Sequence, residues 1–162
     1  MVNLGDLRRL VSFIDPMVDR APIEPPPGSW PAGDPAPRVL VEHQDPVWRW
    51  AAARRLEAAG YQVTTCGGPG VFRHGRCPLV AGEGCPAVDG ADVVVNGLGI
   101  RDAGARAVLS AVRGARPELP VVVELPQPQS DDLDAAIPGC RVVPFPVGPV
   151  ELVRAVEEAL TR

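Results

Sequence analysis

A chain of 162 residues, 46 % of them apolar, has enough material for one ordinary domain with an extension and too little for two. Its formal net charge of -4 argues against a nucleic-acid surface, which concentrates basic residues on one face. All 16 basic residues are arginine, so chemistry that needs a lysine is excluded.

Residues 1–20 place Leu4, Leu7, Val11, Ile14 and Val18 three and four positions apart, which is one stripe of a helix. Pro16 lacks a backbone donor and ends or restarts that helix near Asp15. So short a helix is unstable alone in water, and its apolar stripe is expected to cover its own domain, a partner protein or a second copy. Residues 21–37, rich in proline, read as a stiff extended linker with Trp30 as a docking anchor. No apolar run approaches the roughly 18 residues of a membrane span and no leader pattern opens the chain, so a cytoplasmic location is expected.

From residue 38 onward, short apolar strands alternate with helical segments: strands at 38–42, 61–66, 92–96, 120–125 and 141–145, and helices at 46–60, 102–113 and 149–160, with a shorter one near 131–137. Strands that are apolar on both faces belong to a parallel sheet covered on both sides. Right-handed crossovers then give an α/β fold with a doubly wound five-stranded sheet of order 2-1-3-4-5 in three layers.

The stretches RVLVEHQDPVWRWAAARRLEAAGYQV, ADVVVNGL, ELPVVVEL and FPVGPVELVRAVEEAL, with the turns Asp45-Pro46 and Pro149-Val150-Glu151-Leu152, resemble two-component response-regulator receiver domains across 38–160. The resemblance implies a flavodoxin-like fold and, in a working receiver, magnesium held by two acidic residues after strand 1 beside a phosphoacceptor aspartate after strand 3. Here the acidic pair falls on His43 and Gln44, and the acceptor falls on Gly97, or on Asn96 if strand 3 slips by one. The switch hydroxyl falls on Leu125 and the lysine on Phe145, so no magnesium is expected and no acyl phosphate can form. Asp45 alone does not rebuild the site. Asp92 begins its strand and Glu124 points away from Leu125 by alternation, so neither is assigned a role.

Where a receiver has its second helix, residues 66–90 are too rich in glycine and proline for a crossover helix and carry three of the four cysteines. So long a loop needs another source of order. Cys66, Cys77 and Cys85 with His74 supply a tetrahedral zinc set. The Cys77-Pro78 and Cys85-Pro86 pairs offer an iron–sulfur cluster as the alternative. Buried thiols, or a Cys77–Cys85 disulfide opposed by a reducing compartment, are the plain readings. Cys140 is expected at the N-terminal edge of the sheet, opposite the end where Cys66 closes strand 2, as a structural residue, and His43 as a solvated residue that could join the metal set.

The functional expectation is a non-phosphorylatable pseudo-receiver that binds another protein through its N-terminal arm or switch face. A redox or metal sensor is the alternative. The C-x5-R loop of small phosphatases is absent and no nucleophile–base pair is legible, so an enzyme is not expected.

Overall fold

A computed structural model describes residues 30, 33, 35–69, 77–99, 101–126 and 139–161. Leu4, Leu7, Val11, Ile14, His74 and the helix expected at 131–137 lie outside them. Five strands, β1 (Arg38–His43), β2 (Gln62–Cys66), β3 (Val93–Gly97), β4 (Val121–Pro126) and β5 (Cys140–Phe145), form one parallel sheet of order β2-β1-β3-β4-β5. The valine runs explain the central strands. Val93, Val94, Val95, Val121, Val122 and Val123 are at most 1 % exposed, and burying each valine stabilises by about 1.5–3 kcal/mol. In β1, β3 and β4 the buried polar residues Glu42, His43, Asn96 and Glu124 all lie toward the C-terminal ends.

Alternation divides the side chains into two layers. Helices α1 (Pro46–Ala58) and α4 (Pro149–Leu160) cover one face, packing Leu56, Leu152 and Val156 on Val39, Val41, Val95 and Val122. The other face packs Leu40, Val94, Val121 and Val123 against Leu79, Val88, Val108 and Val112, which come from residues 77–91, the one-turn helix α2 (Pro86–Asp89) and helix α3 (Ala103–Ala115). The expectation that 66–90 would lack helix therefore needs correcting at 86–89. Pro86 opens that turn, and Arg116 Nη1 donates to the carbonyls of Val88 at 3.3 Å and Asp89 at 2.8 Å.

Local chemistry fixes where the long helices start. Asp45 Oδ1 accepts from the amides of Val47 at 2.8 Å and Trp48 at 3.2 Å, with Pro46 in the first turn. Asp102 Oδ1 caps α3 through Ala105 N at 2.9 Å. The Glu151 carboxylate accepts from Gly148 N at 3.2 Å at the head of α4. The inward face of α1 is narrow. Leu56, Ala52 and Ala53 face inward, whereas Val47 is 72 % and Trp50 58 % exposed. Arg49 turns inward instead, donating from Nη1 to the His43 carbonyl at 2.8 Å.

Trp30 packs on its own domain. Its Nε1 donates to the Ala87 carbonyl at 3.3 Å, the Arg38 guanidinium lies 5.9 Å from its ring centroid, and its ring occupies the space a side chain at residue 90 would need.

Candidate functional site

The C-terminal ends of β1, β3 and β4 each deliver adjacent residues to opposite faces, and two separate sites result. On the α1/α4 face lies Gly97, where the resemblance to receivers leads one to expect the phosphoacceptor position. Gly97 leaves a notch there, and a Cβ at residue 97 would collide with the His43 ring and lie 2.5 Å from Glu124 Oε2. The His43 ring packs on Phe145 with centroids 5.6 Å apart, and Trp48 packs on Phe145 at 5.0 Å. The notch is therefore filled from both sides.

His43 is buried, contrary to the solvated residue expected from its place after a strand. Its Nδ1 lies 3.0 Å from Asp45 N and 3.3 Å from the Asp45 carbonyl, accepting from the amide in one tautomer and donating to the carbonyl in the other. Burial holds the imidazole pKa below its ordinary value. Glu124, left without a role by the sequence, is 6 % exposed, and burial pushes its carboxyl up to about 7. The expected alternation with Leu125 holds. Leu125 packs in the α2/α3 layer, and Glu124 is the residue that reaches Gly97. Gln44 is exposed. Asp45 serves as a helix cap, and Asp92 Oδ2 accepts from Arg38 N at 2.8 Å at the far end of the sheet.

On the α2/α3 face, Cys66, Cys77 and Cys85 line one cavity of about 70 Å³ with Leu40, Glu42 and Leu79. All four cysteines of the chain are free thiols, and Cys140 begins β5 at the N-terminal end of the sheet, whereas Cys66 closes β2 at the C-terminal end. Cys66 is the last residue of β2 and pairs in register with Glu42 of β1. Burial pushes the Cys66 thiol up to about 12 and raises that of Cys85. Backbone amides oppose this, from Gly68 N to Cys66 Sγ at 3.4 Å and from Ala87 and Val88 to Cys85. Amides aimed at sulfur are the surroundings in which a thiolate is stabilised. Among the described residues no three His, Cys, Asp or Glu side chains are already spaced to hold a metal ion.

The cavity also contains what the sequence reading missed. Glu42 is 3 % exposed, and its Oε2 accepts from Asn96 Nδ2 at 2.7 Å. Burial pushes its carboxyl up to about 7 against the pull of that hydrogen bond. The one available signal was parity with Leu40, since residues two apart in a strand share a face.

No protein-family model matches the chain, and no curated protein matches it. Solved structures do. The receiver domain of NtrX from Brucella abortus superposes with a TM-score of 0.60 at 20 % identity over 76 % of this chain and 98 % of that one. A response regulator receiver domain protein from Clostridium thermocellum gives 0.59 at 18 %, over 78 % and 95 %. A pilus assembly protein, CpaE, from Burkholderia thailandensis gives 0.59 at 23 %, over 78 % and 99 %. At these identities the likeness establishes the fold, which is that of response regulator receiver domains.

Proposed function

We propose that this receiver-fold chain is a regulatory or assembly module that takes no phosphate and works by binding another protein. The observation that carries this reading is the notch at Gly97. It has no carboxylate on residue 97 to accept a phosphoryl group, and the volume is occupied by His43 and Glu124. The lysine position is the aromatic Phe145, packed on His43 and Trp48. A receiver built this way keeps a surface and loses the reaction, so the chain is read as a pseudo-receiver and not as an enzyme.

Support for a protein partner comes from exposed apolar side chains in the first turns of two helices. Val47 and Trp50 of α1 and Val150 of α4 are 72 %, 58 % and 78 % exposed. Both helices start just beyond the C-terminal edge of the sheet, beside the filled notch. The fold shared with a pilus assembly protein fits an assembly role. The N-terminal stripe Leu4, Leu7, Val11 and Ile14 offers a second contact to the partner or to another copy. Four free thiols fit a cytoplasmic location. No helix among the described residues is long and apolar enough to cross a membrane.

The test is incubation of the purified chain with a small phosphodonor and magnesium, followed by intact mass. No acyl phosphate is expected. A hydroxylamine-labile adduct of one phosphoryl group would refute the pseudo-receiver.

A second reading is favoured by the convergence of Cys66, Cys77 and Cys85 on one cavity. In it the module also senses metal or redox state, with zinc, or an iron–sulfur cluster as the alternative, ordering 66–90 with or without His74. Metal analysis and an absorbance spectrum on protein purified without oxygen decide it. Stoichiometric metal supports the reading, and its absence together with unchanged stability of Cys66→Ser ends it.

A further inference from the structure

Glu42 stands where the fold calls for an apolar side chain. It follows Leu40 by two residues on the same face of β1, among Leu40, Val94, Val121, Val123 and Leu125. A carboxyl group taken out of water carries a desolvation cost that a leucine there avoids. Its two oxygens differ. Oε2 accepts from Asn96 Nδ2 at 2.7 Å. Oε1 makes no hydrogen bond among the described residues, yet it is not one of the side-chain atoms sealed off without a partner. It therefore faces open space, and the open space that Glu42 lines is the cavity of about 70 Å³.

That cavity runs from an open rim to a closed floor. Gly84 and Pro86 at the rim are exposed, whereas Leu40, Glu42 and Val108 are buried. Every other side chain that lines it is apolar or a thiol. A water needs two to four polar partners, so a chamber with one carboxyl holds water poorly. Its volume is about half of the roughly 150 Å³ that admits benzene, and several times the ~10–15 Å³ that holds one water. An organic occupant of about three to five non-hydrogen atoms fits.

The charges decide what kind of occupant. Among the described residues no cation faces Glu42, since burial is what pushes its carboxyl up and only the Asn96 hydrogen bond opposes it. A buried acid without a counter-charge takes its neutral form. The same burial raises the Cys66 and Cys85 thiols, so neither puts a charge on the wall near neutral pH. In the neutral acid the oxygen that accepts from Asn96 is the carbonyl, and the proton sits on Oε1. The result is an apolar chamber with one O–H donor at its floor.

We propose that this cavity binds a small neutral molecule with a short apolar body and one carbonyl oxygen, a ketone or short ester, which accepts a hydrogen bond from Glu42. The apolar lining disfavours a charged ligand, and the carbonyl supplies the acceptor that the buried O–H lacks. The thiols serve as wall, and the site calls for no metal.

Titration of the full reduced chain with butanone at pH 6, followed by NMR of its leucine and valine methyls, tests this. The shifts should saturate in the millimolar range or below, which is the range open to so few atoms. Overhauser contacts should run from butanone to the methyls of Leu40, Leu79 and Val108. Glu42→Gln can turn an N–H toward the cavity while its oxygen accepts from Asn96, and it should bind within about threefold of the wild type. Glu42→Leu has no donor and should bind at least about fivefold more weakly. A wild type without saturable shifts, or with contacts only to methyls outside the cavity, overturns the site without recourse to any variant. Glu42→Leu binding as tightly as the wild type overturns the hydrogen bond from Glu42.

Discussion

At the scale of single residues, Gly97 and its two neighbours form one packing unit. Adding a methyl group at residue 97 forces the His43 ring and the Glu124 carboxylate apart. Overpacking of this kind costs about 1–3 kcal/mol, so Gly97→Ala should lower the urea midpoint accordingly. His43→Ala opens the space, and the double variant should recover part of the loss, a coupling of at least about 0.5 kcal/mol. Strict additivity of the two changes would show that the notch is not filled as described. The expectation that the phosphotransfer positions are replaced was legible from the sequence because it rests only on residue type at positions 43, 44, 97, 125 and 145. What fills the notch was not, because it depends on side-chain direction. Glu124 was set aside from a correct alternation, and Glu42 went unnoticed because a carboxylate at the end of a strand ordinarily reaches water. Its burial follows from the cover supplied by 77–91, whose path no residue pattern specified.

At the scale of elements, strand and helix positions were readable to within a residue or two. Unbroken valine runs, Asp45-Pro46, Gly60 and Gly148-Pro149 each have a local physical meaning. The one-turn helix at Pro86–Asp89 was hidden because its length is below any periodicity, and it persists through contacts made from outside. Arg116 holds its last carbonyls, Cys85 accepts amides at its start, and Trp30 bonds to Ala87. Trp30 and Gly90 therefore form a lock at this turn. Gly90→Ala puts a Cβ into the indole and should expel it, exposing the ring to a water-soluble fluorescence quencher. In a Trp30→Phe background, Gly90→Ala should leave quenching of Trp48 and Trp50 unchanged. Equal quenching in Gly90→Ala and wild type would disprove the contact.

At the scale of the whole molecule, the buried ionisable groups set how stability responds to pH. Burial raises the Glu124 carboxyl from 4.5 in the unfolded chain to about 7 in the fold. The folded state thus binds the proton more tightly. The stability this preference contributes is fully present below pH 4.5 and is lost as pH rises through 7, with a ceiling of about 3 kcal/mol. Glu42 acts in the same direction. His43 acts in the opposite one, because its folded pKa lies below 6.5 and its contribution is lost as pH falls through that value. In denaturation with a chelator present, Glu124→Gln should gain on the wild type as pH rises from 5 to 8. A stability difference that stays flat across that range would mean that Glu124 is solvated in the fold.

The sheet itself is the partition between the two sites. Glu42 and His43 are consecutive, as are Asn96 and Gly97, yet within each pair the members face different compartments. Both compartments are therefore written in a single frame of side chains with a period of two. Deleting one residue from β1 ahead of Glu42 would move the glutamate's neighbour, the imidazole, in among the thiols and send the carboxylate into the apolar layer where Val41 packs, scrambling both compartments at once. A one-for-one exchange disturbs one compartment, whereas a change of one residue in the length of β1 disturbs both.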